Sequence, residues 1–262
     1  MKPNFRLQAF VTGFSLIEIA VVFLIMSILI TMVAIPLATQ LDQQKTIDTQ
    51  KQLEQAKEAI YGFAMANGRL PCPATSTSAG LERYCTNASG GCGTPTTVQA
   101  HGRCVSTVGL VPSATLGLAP IDANGFSVDA WADGSDLRRL QYAVSPYQNP
   151  ANTYILTSVD GVKTPTMTTV SAATHLYVCT TGLTGAPPTI DCGAMAVLSD
   201  KAPFVLYSLG KSTAQNSFDE TNNQNNDIVF TQGIQSSTFD DLVTWGSLNT
   251  LFARMVQAGK LP

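Results

Sequence analysis

Charge is scarce in this chain, and none of it is in basic excess. Only 13% of the 262 residues are Asp, Glu, Lys or Arg, and 15 basic side chains face 18 acidic ones. A protein that grips a nucleic-acid backbone needs a basic footprint to neutralise phosphates. The net charge here is −3, and Arg138-Arg139 is the only adjacent basic pair, so no nucleic-acid partner is expected. Histidine is nearly missing too: His101 and His175 are the only two. The six cysteines contain no C-x2-C pair, and His101 has no matched partner, which removes a zinc site. Ser208-Leu209-Gly210-Lys211 fits the short S-x-x-K pattern, but the companion motifs S-D-N and K-T-G are absent. Gly210-Lys211-Ser212 ends like a phosphate loop, yet Val205 stands where the first glycine must be. An enzyme is therefore not expected.

What the chain does have is one long apolar run. From Phe14 to Ile35 the only charge is Glu18. As helix this stretch would reach about 33 Å at ~1.5 Å per residue, against a hydrocarbon core of ~30 Å. A soluble core helix rarely needs ~18 or more consecutive apolar residues. A cleaved secretory signal would have a shorter apolar region, ~7–15 residues, closed by an A-x-A-like site. Met32-Val33-Ala34 and Pro36-Leu37-Ala38 lack the small first residue. The run reads as a retained anchor. Lys2 and Arg6 precede it without any acid, whereas Asp42 and Lys45 follow it. Positive-inside reasoning keeps the N-terminus cytoplasmic and exports the remainder. A lone carboxylate in such a segment costs roughly 2.5–3.5 kcal/mol on insertion scales, so Glu18 needs a partner.

Gly13-Phe14-Ser15-Leu16-Ile17-Glu18, with basic residues upstream and an apolar helix downstream, resembles the N-terminus of the type IV pilin and type II secretion pseudopilin superfamily. The resemblance covers about the first 40 to 65 residues. It implies that a prepilin peptidase cuts between Gly13 and Phe14 in the bacterial inner membrane and that Phe14 is N-methylated. Glu18 would then neutralise the Phe14 amine of a neighbouring subunit during filament assembly, since pairing removes much of the cost of each charge in low dielectric. The leader of 13 residues is longer than in many major pilins and leans toward a minor pilin or pseudopilin. The partners implied are the membrane, the peptidase and other pilins or pseudopilins. Losing Lys2 and Arg6 with the leader would take the net charge from −3 to −5.

The expected organisation is a leader over 1–13, a membrane or filament-core half-helix over 14–36, an amphipathic half over 37–66 and a periplasmic globular domain over 67–262. Pro36 removes one backbone bond and should kink the helix without having to end it. Leu41, Ile47, Leu53, Ala56, Ile60 and Phe63 recur at roughly helical spacing, and Asn67-Gly68 followed by Leu70-Pro71-Cys72-Pro73 stops the helix. The fold class expected is α+β, with the long helix packed on an antiparallel sheet and a C-terminal helix beyond it. Strands are expected at 153–159, 175–179, 195–198, 203–209 and 227–231, with another at 140–144. The terminal helix is expected to start with Thr238 as N-cap and Asp240 and Asp241 in its first turn. Leu248, Leu251, Phe252 and Met255 would form its apolar stripe, and Gly259 and Pro262 its stop.

Cys72, Cys85, Cys92, Cys104, Cys179 and Cys192 all lie beyond the anchor. An even count in an exported domain reads as disulfides. Six cysteines allow 15 pairings; Cys179–Cys192 is the best pair because it is isolated in sequence, and the other four remain open. Those four sit in a Gly-, Thr- and Ser-rich insertion over 72–104 that needs staples to stay ordered. No cofactor is expected beyond a weak calcium alternative at Asp219, Glu220 and Asp227, whose oxygens suit that ion. The run has no EF-hand spacing and reads better as an Asn-rich solvated loop. His175 reads as a structural histidine in an apolar strand. Beside the filament subunit stand two other readings: a filament-tip adhesin using 72–104, and an anchored periplasmic enzyme.

Overall fold

A computed structural model describes residue 13 and residues 15–96, 99–151, 153–163 and 167–261, without the side chains of 31–38. Residues 1–12 of the leader, Phe14 and Pro262 lie outside the described residues, as do the side chains of the second part of the apolar run. The chain divides into two units, Met1–Gln44 and Lys45–Pro262. Helix α1, Leu16–Asn67, has residues in both, and its backbone continues through Pro36.

In the first unit the described apolar side chains from Leu16 to Ile30 are exposed, Leu16 to 89%. Among the described residues no helix is long and apolar enough to cross a membrane.

The second unit is α+β. Seven strands follow: β1 (Val108–Leu110), β2 (Gln141–Val144), β3 (Leu176–Thr180), β4 (Val197–Ala202), β5 (Phe204–Ser208), β6 (Val229–Gln232) and β7 (Leu242–Trp245). Four helices accompany them: α2 (Ser113–Leu116), α3 (Met167–Ala172), α4 (Phe218–Asn223) and α5 (Leu248–Gln257). A four-stranded antiparallel sheet has the order β1-β2-β5-β7, and a three-stranded sheet has the order β4-β3-β6. The expected sheet is thus antiparallel, but the second sheet departs from it: β3 pairs antiparallel with β4 and parallel with β6.

The layers follow from side-chain alternation. Tyr142, Phe204, Leu206 and Leu242 point into a core shared with Leu53, Ala56, Ile60 and Ala64 of α1 and with Leu251, Phe252 and Met255 of α5. Ala143, Val205 and Tyr207 point the other way, onto Leu176, Val178, Ala202 and Phe230 of the second sheet. β5 is covered on both faces and every one of its residues is buried, which is why its sequence is a continuous apolar run. Tyr61 of α1 meets Phe204 edge-on at 5.3 Å. Of the helical stripe, Leu53, Ala56 and Ile60 are buried and Phe63 is half-buried; Leu41 and Ile47 are exposed. α1 ends where its sequence says: Gly68 takes φ +71° and donates its N–H to the Ala64 carbonyl.

Three expectations fail where contacts distant in sequence override the local signal. The stretch 153–159 is a chain of turns with one bridge, Tyr154 to Gln148. Ile155 and Leu156 reach the core from turns instead of a ladder, and Gly102 comes so close that a Cβ there would lie 2.3 Å from the Ser158 nitrogen. The terminal helix starts at Leu248, not after Thr238. β-branched and aromatic residues at 243–245 pair with β5 instead, and Gly246 bends beside the Phe204 ring. The Asn-rich run is a solvated loop only in its second half, where Asn225 and Asn226 are exposed; its first half is the helix α4. Ser217 caps α4 by accepting from the Glu220 N–H, and Asn222 and Asn223 are buried against β6. Asn223 both donates to the Thr231 carbonyl and accepts from the Thr231 N–H, as a neighbouring strand would.

The disulfides are Cys72–Cys104, Cys85–Cys92 and Cys179–Cys192, so the expected last pair stands. The insertion is also tied down by a buried polar hub. Arg69 makes a two-pronged pair with Glu82 at 2.7 and 2.8 Å and donates to the Tyr84 hydroxyl. Glu82 also accepts from the Cys72 N–H, and the guanidinium lies over the Phe63 and Tyr84 rings. Removing one partner of a buried pair strands the other charge, at a cost of about 3–5 kcal/mol. Glu82→Ala is expected to lower the unfolding free energy, read from a urea titration, by that much, with the disulfides intact by mass; a loss under about 1 kcal/mol would show that the hub does not hold the insertion.

Candidate functional site

The N-terminal motif is described from Ser15 onward, apart from Gly13, which is exposed with nothing within 4 Å of the position a Cβ would take. Glu18 lies in the first turn of α1, and its carboxylate accepts the Ser15 N–H at 2.9 Å. A carboxylate there satisfies one of the free donors at the helix start and sits at the positive end of the helix dipole. The cleavage and methylation position, Phe14, lies outside the described residues.

The calcium alternative does not assemble from the expected residues. Asp219 accepts from the Gly182 and Leu183 N–H groups at 3.0 to 3.2 Å. Asp227 accepts from the Val229 N–H at the start of β6. Only Glu220 joins a carboxylate cluster, and its companions are Asp240 and Asp241. One oxygen from each lies within 4.8 Å of the others, and among the described residues this is the one His/Cys/Asp/Glu group that could hold a cation. Sequence reasoning missed Asp240 and Asp241 by placing them in a helical first turn. The loop before β7 carries them back onto the α4 N-terminal turn, where the Glu220 carboxylate accepts from the Asp240 N–H. The Asp241 carboxylate accepts from the Asn223 amide, is 2% exposed and keeps one oxygen without a partner.

Burial raises the pKa of all three carboxyls. Asp241 is pushed up to about 8, by desolvation first and then by the charges of Glu220 and Asp240. A buried carboxyl without a full set of donors keeps its proton instead of facing a low dielectric charged.

The other chemistry-bearing groups are engaged internally. The Ser208 hydroxyl donates to Asp129 at 2.8 Å and accepts from the Gly210 N–H, so it is held inside the fold. His175 forms a pair that the sequence did not reveal: its Nε2 donates to the Val170 carbonyl, so its Nδ1 accepts from the Ser145 hydroxyl at 2.9 Å. Both residues are buried. Desolvation holds the His175 pKa below its usual value, which fits the structural role read from the sequence.

Asp241 gives a pH prediction of definite sign. Its folded pKa lies above its ordinary value of 3.8. The stability it contributes is therefore complete below about pH 4 and is lost as pH rises through about 8. His175 acts in the opposite direction, losing stability as pH falls below its usual value. Asp241→Asn should be more stable than the parent protein at pH 8 by a margin that shrinks toward pH 4. Urea titrations at both ends check this; a margin independent of pH would mean that Asp241 is ionised in the fold. Comparison with protein-family models, with curated proteins and with solved structures finds no match to this chain.

Proposed function

We propose that this chain is a minor pilin or pseudopilin, made as a precursor in the bacterial inner membrane and assembled into a type IV pilus or type II secretion pseudopilus. The observation that carries this reading is Gly13-Phe14-Ser15-Leu16-Ile17-Glu18 at the head of a helix whose apolar side chains are exposed. Uncovered Leu, Ile, Val and Phe on that scale need a bilayer or other helices around them. The second half of α1 packing on an antiparallel sheet supports the same reading. So do three disulfides, which belong to an oxidising compartment outside the cytoplasm. In this reading the N-terminus is cytoplasmic and the second unit periplasmic. Prepilin peptidase cleaves after Gly13 and methylates Phe14, and the mature chain joins other pilins or pseudopilins.

Two substitutions separate processing from assembly. Gly13→Val should leave the leader attached by crowding the scissile bond. Intact mass and N-terminal sequencing of membrane-extracted protein, with and without prepilin peptidase, read this directly. A mature chain starting elsewhere than at methylated Phe14 sinks the assignment. Glu18→Ala should be inserted and cut normally yet be missing from sheared filaments, because the neighbouring Phe14 amine has lost its counter-charge. Normal incorporation would refute the pairing.

A further inference from the structure

A cleft of about 210 Å³ opens between the α3 helix, the free edge of β4, the end of β7 and the start of α5. Its lining is unlike that of a packing defect. Trp245 and Leu248 give it an apolar wall, and Ser171, Ser247 and Asn249 surround that wall with hydroxyl and amide groups. Among the described residues none of these three side chains makes a hydrogen bond: Ser247 stands at the N-cap position of α5 without capping it, and Ser171 and Asn249 have no partner. Lys201 also lines the cleft. Its ammonium donates to the Ala173 carbonyl at 2.8 Å and has no carboxylate within ion-pair distance among the described residues. Ser247 and Asn249 are exposed, so the cleft is open to solvent.

We infer that this cleft binds a single acidic sugar ring, a hexuronic acid or its glycoside. An indole face is electron-rich and attracts the polarised C–H face of a pyranose. Uncommitted hydroxyl and amide groups, able to donate and accept, match ring hydroxyls. One cation without a counter-charge selects a carboxylate on that ring. The volume lies below the ~300–1,000 Å³ of clefts for drug-sized ligands, which suits a terminal residue and not a long chain. None of these features was visible in sequence, because the residues come from four separate elements. The lining residues all belong to the second unit, and the inference does not rest on the proposed function.

The test uses the full chain in a sugar-free amine-oxide detergent. Glucuronate, galacturonate and glucose are titrated while tryptophan fluorescence and saturation-transfer NMR are recorded. Trp131 is buried in the core away from the cleft, so Trp131→Phe should keep the fluorescence response. Expected is saturable binding of a uronate, weaker binding of glucose, and loss of that preference in Lys201→Met. Asn249→Ala changes an exposed side chain and should weaken uronate binding about 5–10-fold, the worth of one hydrogen bond. No saturable response to either uronate overturns the inference. So does glucose binding as tightly as the uronates, or binding unchanged in both Lys201→Met and Asn249→Ala.

Discussion

The buried Arg69–Glu82 pair is the joint on which the globular unit turns. Arg69 lies two residues after α1 ends and three before Cys72 begins the first disulfide, where the chain must leave a helix and enter an insertion poor in apolar residues. Tyr84, whose hydroxyl receives the Arg69 bond, is itself fully buried and bridges to both Thr96 and Cys104. The same hydroxyl reaches the Thr157 carbonyl, in the turns that replaced an expected strand. One guanidinium thus aligns the helix end, the insertion and the 154–158 turns. A buried pair adds little net stability over an apolar replacement, but it tolerates few alternative arrangements once formed. Its effect is on which packing is adopted, and two disulfides then limit how far the insertion can stray in the unfolded chain.

That joint matters because the rest of the unit is built in layers that leave β5 no solvent face. Strands with one wet face show their orientation by alternation; β5 cannot, because both of its faces are covered. Its register is set by neighbours instead. Tyr142 faces Leu206 and Thr244 faces the same residue from the other side. Glycine at 246 then lets the chain turn past the Phe204 ring, where any side chain would collide. The start of α5, and with it Ser247 and Asn249 of the cleft, is placed by that turn.

Much of this was legible where one physical rule dominates. Leu53, Ala56 and Ile60 of the helical stripe stand because helical periodicity marks burial, the Gly68 stop because glycine takes the left-handed turn, and β3 and β5 because their apolar runs mark buried strands. Cys179 and Cys192 pair as their isolation in sequence suggests. What was hidden depended on long-range partners. Leu242 to Trp245 looked helical beside Asp240 and Asp241, because acids before an apolar run are a helix signal; only the vacant edge of β5 made them a strand. Asn222 and Asn223 looked solvated because asparagine usually is, and only an adjoining strand edge in need of donors and acceptors could bury them. The carboxylate cluster and the Ser145–His175 pair join residues 20 and 30 positions apart, beyond the reach of any local pattern.

The first unit raises a different electrostatic question. Glu18 already accepts the Ser15 N–H within its own helix start, so its carboxylate is not idle before assembly. On the proposed function, a neighbour's amine would therefore compete with the Ser15 N–H for Glu18. A charge pair in low dielectric is far less costly than two separate charges but is no stronger for being made between subunits. In the proposed filament the gain from assembly would then come from covering the exposed apolar side chains of Leu16 to Ile30. Glu18 would set the register of that assembly, while apolar contact would supply its strength.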